Sequence, residues 1–223
     1  MASFTRIEVY TAMIESGLVP LFYHKDLETA KKIVQACGVG GARLIEFTNR
    51  GDFALQVFSQ LVPYCRENLP EMILGVGSVT DAATAALYIA HGANFIVSPM
   101  LVAEIATLCN RRKIPYMPGC GTLSEISHAE ELGAEIVKIF PGDAVGGPKF
   151  VKAVLGPCPW TRLMPTGGVE ATEESISAWI KAGVSCVGMG SDLIVKSLVA
   201  EGQWDSISKR VSSVLGWIQA ARS

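Results

Sequence analysis

Short apolar runs alternate along this chain with longer stretches whose apolar residues recur at helical spacing. The runs at 18–23, 42–48, 72–79, 94–98, 114–119, 161–165 and 185–188, with one more around Lys138, are short and rich in Val, Ile, Leu and Phe. Runs of that length bounded by Gly, Pro or polar residues read as strands. Between them, Ala30, Ile33 and Val34 after Asp26, or Phe53, Val57, Phe58 and Leu61, mark helix faces. Thr80, Ser124 and Thr172 suit helix starts, Pro148 suits a first turn, and Gly133 and Gly156 suit helix ends. An opening helix over 3–16 carries Ile7, Tyr10 and Ile14 and stops at Gly17, and a last helix carries Ile207, Val211, Val214, Leu215 and Ile218. Strand starts thus recur about every 20 to 30 residues, eight times in all. That period predicts an α/β fold, a (β/α)8 TIM barrel with an additional N-terminal helix at 1–17, and a single domain over 1–223. A doubly wound open sheet is the alternative. It calls for a glycine-rich turn after the first strand, where this chain has Tyr23-His24-Lys25-Asp26.

Composition narrows the picture by exclusion. The 223 residues are 49% hydrophobic and 18% charged, with a net charge of −2, which suits a compact enzyme and offers no electrostatic footprint for nucleic acid. No apolar run approaches the ~20 residues of a membrane span. The first residues lack the basic-then-apolar layout of a signal peptide, so a cytoplasmic protein is expected. The six cysteines, at 37, 65, 109, 120, 158 and 186, form no C-x-x-C pair and read as reduced, mostly buried thiols. His24, His91 and His128 have no metal-ligand spacing, so no metal is expected.

The candidate chemistry lies where charge interrupts the apolar runs. Lys138 sits inside Val137-Lys138-Ile139, and Glu46 inside Leu44-Ile45-Glu46-Phe47, where a strand covered on both faces should be apolar. A buried ammonium tends toward a neutral, nucleophilic amine, the state required of a Schiff-base lysine. A buried carboxylate tends toward a pKa suited to general acid/base work. The alternative is an internal ion pair that only tunes stability, or a lysine turned out to the rim. In such a barrel the active site lies at the carboxyl ends of the strands. Arg50, just past the second strand, can hold a carboxylate or phosphate with its planar fork. Ser78 adds a hydroxyl after the third strand. Pro165-Thr166-Gly167-Gly168 and Gly188-Met189-Gly190-Ser191 follow the seventh and eighth strands, where bare backbone N–H groups commonly hold a phosphate.

Taken together, Val19-Pro20, Glu46-Phe47-Thr48-Asn49-Arg50, Gly75-Val76-Gly77-Ser78-Val79, Ser98-Pro99, Pro118-Gly119, Lys138-Ile139-Phe140-Pro141 and Pro165-Thr166-Gly167-Gly168 resemble the landmarks of the class I 2-keto-3-deoxy-6-phosphogluconate (KDPG) and 4-hydroxy-2-oxoglutarate (KHG) aldolases. The resemblance spans nearly the whole chain. It implies a homotrimer of (β/α)8 barrels that needs no metal or other cofactor, with Lys138 as the imine-forming lysine and Glu46 as the acid/base. It further implies Arg50, Ser78 and Thr166 around the carboxylate and keto end of a small 2-keto acid, and Pro99 and Phe140 as apolar lining. Gly167, Gly168, Gly190 and Ser191 would hold a phosphate. Three features depart from the family pattern: Ser78 stands where threonine is common, Met100 where glycine is frequent, and the loop at Gly188-Met189-Gly190-Ser191 is one residue longer. Two other functions fit the same residues. One is a sugar-phosphate isomerase or epimerase using Glu46 and Lys138 as two bases; the other is a phospho-ligand-binding barrel without catalysis.

Overall fold

The computed structural model describes residues 2–223. Among these residues nine short strands are interspersed with helices: β1 (Leu18–Phe22), β2 (Leu44–Thr48), β3 (Ile73–Gly77), β4 (Ile96–Val97), β5 (Tyr116–Met117), β6 (Gly119–Cys120), β7 (Val137–Ile139), β8 (Leu163–Pro165) and β9 (Val187–Met189). Every pairing between them is parallel. A six-stranded sheet runs β5-β4-β3-β2-β1-β9 and a three-stranded sheet runs β6-β7-β8. Only Pro118 separates β5 from β6. Proline lacks the N–H that a continuous ladder would use there, so the strand is broken into two pieces. At the other edge an isolated parallel bridge joins Thr166, after β8, to Gly188 in β9. The result is a curled, parallel α/β sheet with helices on its convex side.

Side-chain alternation along the strands separates two apolar layers. Leu18, Ile45, Phe47, Leu74, Val76, Ile139 and Leu163 pack outward against the helices, while Val19, Leu44, Ile73, Phe95, Val97, Met117, Ile136, Met164 and Cys186 cluster on the concave side. The helix α1 (Arg6–Ser16) adds Val9, Tyr10, Ala12 and Met13 to that inner cluster, covering it from the amino ends of the strands. Its start is a reciprocal cap between Thr5 and Glu8, three residues later than the apolar spacing suggests, and Gly17 closes it in the left-handed conformation. Two other starts also shift, because the side chain that accepts the free N–H belongs to Asp81 rather than Thr80, and to Thr122 rather than Ser124. Phe53, counted on a helix face by its spacing, is instead 72% exposed in a left-handed turn before α3 (Ala54–Asn68). All six cysteines are free, and burial pushes the thiols of Cys37, Cys65, Cys109, Cys120 and Cys186 up to about 12. At neutral pH these five are inert apolar packing.

Candidate active site

The inner layer changes character along the strands. In β2, Leu44 joins the apolar cluster, and Glu46, two residues on, points to the same side and is 2% exposed. In β7, Lys138 follows Ile136 in the same sense and is 6% exposed. Its backbone N–H donates to the Pro118 carbonyl at 2.9 Å, and its register partners are Gly119 and Met164. Above the apolar layer, then, the concave face carries one buried acid and one buried base.

The glycines of β3 explain how a carboxylate fits there. Glu46 pairs in register with Gly75, and a Cβ placed on Gly77 would lie 1.6 Å from Glu46 Oε1. Only glycine leaves that space while Glu46 keeps this position. Gly77→Ala is therefore expected to displace the carboxylate by an ångström or more and to lower kcat by roughly 10²-fold, the scale of such misplacements. Comparing kcat with the melting temperature separates this effect from unfolding. Glu46 Oε2 has no hydrogen-bond partner among the described residues. Burial raises the Glu46 pKa, partly opposed by the charges of Lys138 and Arg50. Burial lowers the Lys138 pKa, opposed by Glu46 and reinforced by Arg50. Desolvation thus drives both groups toward neutrality while each charge favours the other.

The strand ends above this pair form the walls of a cavity of about 740 Å³. Arg50, Phe140, Thr166, Gly167, Gly168, Gly190 and Ser191 line it. Lys138 lies below, with Nζ 4.8 Å from the centroid of the Phe140 ring. Arg50 Nε donates to Ser78 Oγ at 3.3 Å, which ties the loops after β2 and β3. Ser78 itself sits at φ 58°, a left-handed conformation that costs a non-glycine residue about 1 kcal/mol. Thr166 is buried, and its Oγ1 has no hydrogen-bond partner among the described residues. A Cβ on Gly188 would lie 2.4 Å from that oxygen, so β9 leaves room for the hydroxyl. Gly167 and Gly168 both have positive φ, turning the chain after β8 so that side chains are absent from this part of the wall.

Four of the expected site residues, Lys138, Glu46, Ser78 and Pro99, are not on the cavity lining. Lys138 lies near the Phe140 ring and Ser78 is bonded to Arg50, both of which line it, whereas the Pro99 carbonyl approaches Gly119, where a Cβ would lie 2.2 Å away. Conversely, Tyr23, Thr48, Asp192 and Lys196 line the cavity without having been singled out as site residues, and His24 joins them at the end of β1. Lys196 opens α9 (Lys196–Ala200), a five-residue helix too short to show a helical period. Thr48 follows Glu46 by two residues and so shares its side of the strand, a signal that alternation could have supplied.

Comparison with known proteins gives this geometry a lineage. The KDPG and KHG aldolase family matches residues 9–210. The 2-dehydro-3-deoxy-phosphogluconate aldolase of Pseudoalteromonas atlantica is 34% identical over 197 residues, covering 87% of this chain and 88% of that one. The KHG/KDPG aldolase of Escherichia coli is 32% identical over 192 residues, covering 86% and 87%. Among solved structures, the KDPG aldolase of Legionella pneumophila superposes with a TM-score of 0.84 at 27% identity, covering 92% of this chain and 97% of that one. That protein was captured with pyruvate as a covalent carbinolamine intermediate. The match runs through the strands that carry the buried acid, the buried base and the glycine turns, and by it the chain belongs to the KDPG and KHG aldolase family.

Proposed function

We propose that this chain is a class I aldolase that reversibly cleaves a 2-keto-4-hydroxy acid through an imine on Lys138. The favoured substrate is 2-keto-3-deoxy-6-phosphogluconate, giving pyruvate and glyceraldehyde 3-phosphate, with 4-hydroxy-2-oxoglutarate, giving pyruvate and glyoxylate, as a second. The observation that carries the reading is the burial of Lys138 and Glu46 on one concave face, next to Phe140 and Arg50, which line the cavity. Neither side chain has a packing reason to be there, and their lowered and raised pKa values suit an amine nucleophile and a proton shuttle.

Neutral Lys138 adds to the C2 carbonyl to give a carbinolamine, and loss of water gives the protonated imine. That cation accepts the electron pair of the breaking C3–C4 bond, so the cleavage calls for no metal. Glu46, through a water, takes the C4 hydroxyl proton as the aldehyde leaves. The resulting enamine takes a proton at C3 from the same carboxyl, and hydrolysis releases pyruvate and restores the amine. Arg50, Ser78 and Thr166 hold the carboxylate and keto end, and Phe140 and Pro99 keep the imine surroundings apolar. Backbone N–H groups at Gly167, Gly168, Gly190 and Ser191 receive the phosphate.

We read the scaffold as one eightfold barrel over the whole chain. Counting β5 and β6 as one strand interrupted at Pro118, eight strands remain, and the bridge at Thr166 and Gly188 joins the two sheet edges. By family likeness the barrel works as a homotrimer in the cytoplasm, an assembly that sedimentation velocity tests. The substrate assignment is tested by coupled pyruvate release from 2-keto-3-deoxy-6-phosphogluconate, its galactonate epimer and 4-hydroxy-2-oxoglutarate. The first is expected to give the highest kcat/KM. No pyruvate from any of them would contradict the assignment.

A further inference from the structure

The cavity carries a cation for which the cleavage itself has no use. Lys196 lines the wall beside Gly190, Ser191 and Asp192, and its ammonium has no ion-pair or hydrogen-bond partner among the described residues. Arg50 also lines this cavity, in the loop after β2. Because β1 lies between β2 and β9 in the sheet, Arg50 and Lys196 stand on opposite flanks of β1. Asp192 is the only carboxylate on the lining, and it sits on the Lys196 side. The turn that presents this region is fixed from behind, where the Arg210 guanidinium donates to the carbonyls of Asp192 and Leu193.

Cations on two flanks of one cavity suit a ligand with anionic groups at both ends. The Arg50 flank adjoins Ser78 and the buried Glu46–Lys138 pair, so it takes the end of the substrate that reacts. The cavity lining also includes Gly167, Gly168, Gly188 and Gly190, where backbone N–H groups free of bulky side chains can face the several oxygens of one tetrahedral anion. A terminal carboxylate presents two oxygens and one charge; a phosphate monoester presents three oxygens and close to two charges. We propose that Lys196 is a specificity-determining residue, the counter-ion of a phosphate monoester at the far end of an open-chain 2-keto acid. This rests on the aldolase reading for the identity of the near end. Asp192, on the same wall, offsets part of the attraction and weakens binding of that phosphate.

The test compares pyruvate release from 2-keto-3-deoxy-6-phosphogluconate and from its unphosphorylated counterpart. In Lys196→Met the ratio of the two kcat/KM values is expected to fall about 10-fold, the scale of one exposed charge-assisted contact, mainly through KM of the phosphorylated substrate. Lys196→Arg should restore the ratio, and Asp192→Asn should raise it. An unchanged ratio in Lys196→Met, or an equal fall for both substrates, overturns the proposal. Calorimetric titration with inorganic phosphate decides the same point without turnover: Lys196→Met should bind it about 10-fold more weakly than the wild type. Equal binding overturns the role of Lys196. Absence of pyruvate release by the wild type, with phosphate binding still dependent on Lys196, defeats the aldolase reading alone.

Discussion

Lys138→Ala is expected to reduce pyruvate release by roughly 10⁴-fold or more, the scale on which loss of a covalent nucleophile acts in enzymes. The expectation follows from where the side chain lies. Lys138 is 6% exposed in the middle of β7, held by a backbone hydrogen bond to Pro118 and capped by the Phe140 ring. Among the described residues no other lysine is buried, so none can take over the amine. Arginine at this position would keep the charge but not the chemistry, because a guanidinium stays protonated and cannot add to a carbonyl. Steady-state pyruvate release, measured beside far-ultraviolet circular dichroism to show that the fold persists, checks the result. Retention of wild-type turnover by Lys138→Ala would remove the imine from the mechanism.

Glu46→Gln is expected to lower kcat by roughly 10²-fold or more, the contribution of a positioned acid/base, while leaving imine formation with pyruvate detectable. Glutamine keeps the shape that Gly77 accommodates but cannot move a proton between the C4 hydroxyl and the C3 carbon. The pH profile supplies an independent sign. Glu46 acts as a base only when ionised, and burial raises its pKa from the ordinary 4.5. The acid limb of kcat/KM should therefore lie above the ordinary glutamate range, with activity rising as pH increases through it. Lys138 must be neutral to attack, and burial lowers its pKa from 10.5, which brings the amine into use below the ordinary lysine range. The two groups face one another electrostatically, so the profile reports apparent values of the pair. In Glu46→Gln the limb belonging to the carboxylate should disappear. An unaltered acid limb would assign the proton transfer to another group.

Much of this site is legible in the sequence because burial in a strand and charge conflict. Lys138 and Glu46 interrupt runs that parallel strands keep apolar, and both lie buried on the concave face. Gly167, Gly168, Gly190 and Ser191 were readable from their places after the last two strands, and all line the cavity. Other features depend on distances that no spacing encodes. That Gly77 leaves room for Glu46, and Gly188 for Thr166, follows from register between neighbouring strands. Helix starts moved by one to three residues because caps are chosen by which side chain reaches a free N–H, as at Thr5, Asp81 and Thr122. The interruption at Pro118 divides a strand that reads as one apolar run, and α9 is too brief to carry a period. Lys196, which opens that helix, was therefore invisible as a cavity residue until the loop after β9 was seen against the glycine turns.

The most direct measurement is borohydride reduction of the wild-type protein in the presence of pyruvate, followed by peptide mass mapping. The expected result is one reduced pyruvyl group, carried on Lys138 and absent when pyruvate or borohydride is omitted. An adduct on a different lysine, or none while the protein still releases pyruvate from its substrate, would contradict imine chemistry at Lys138.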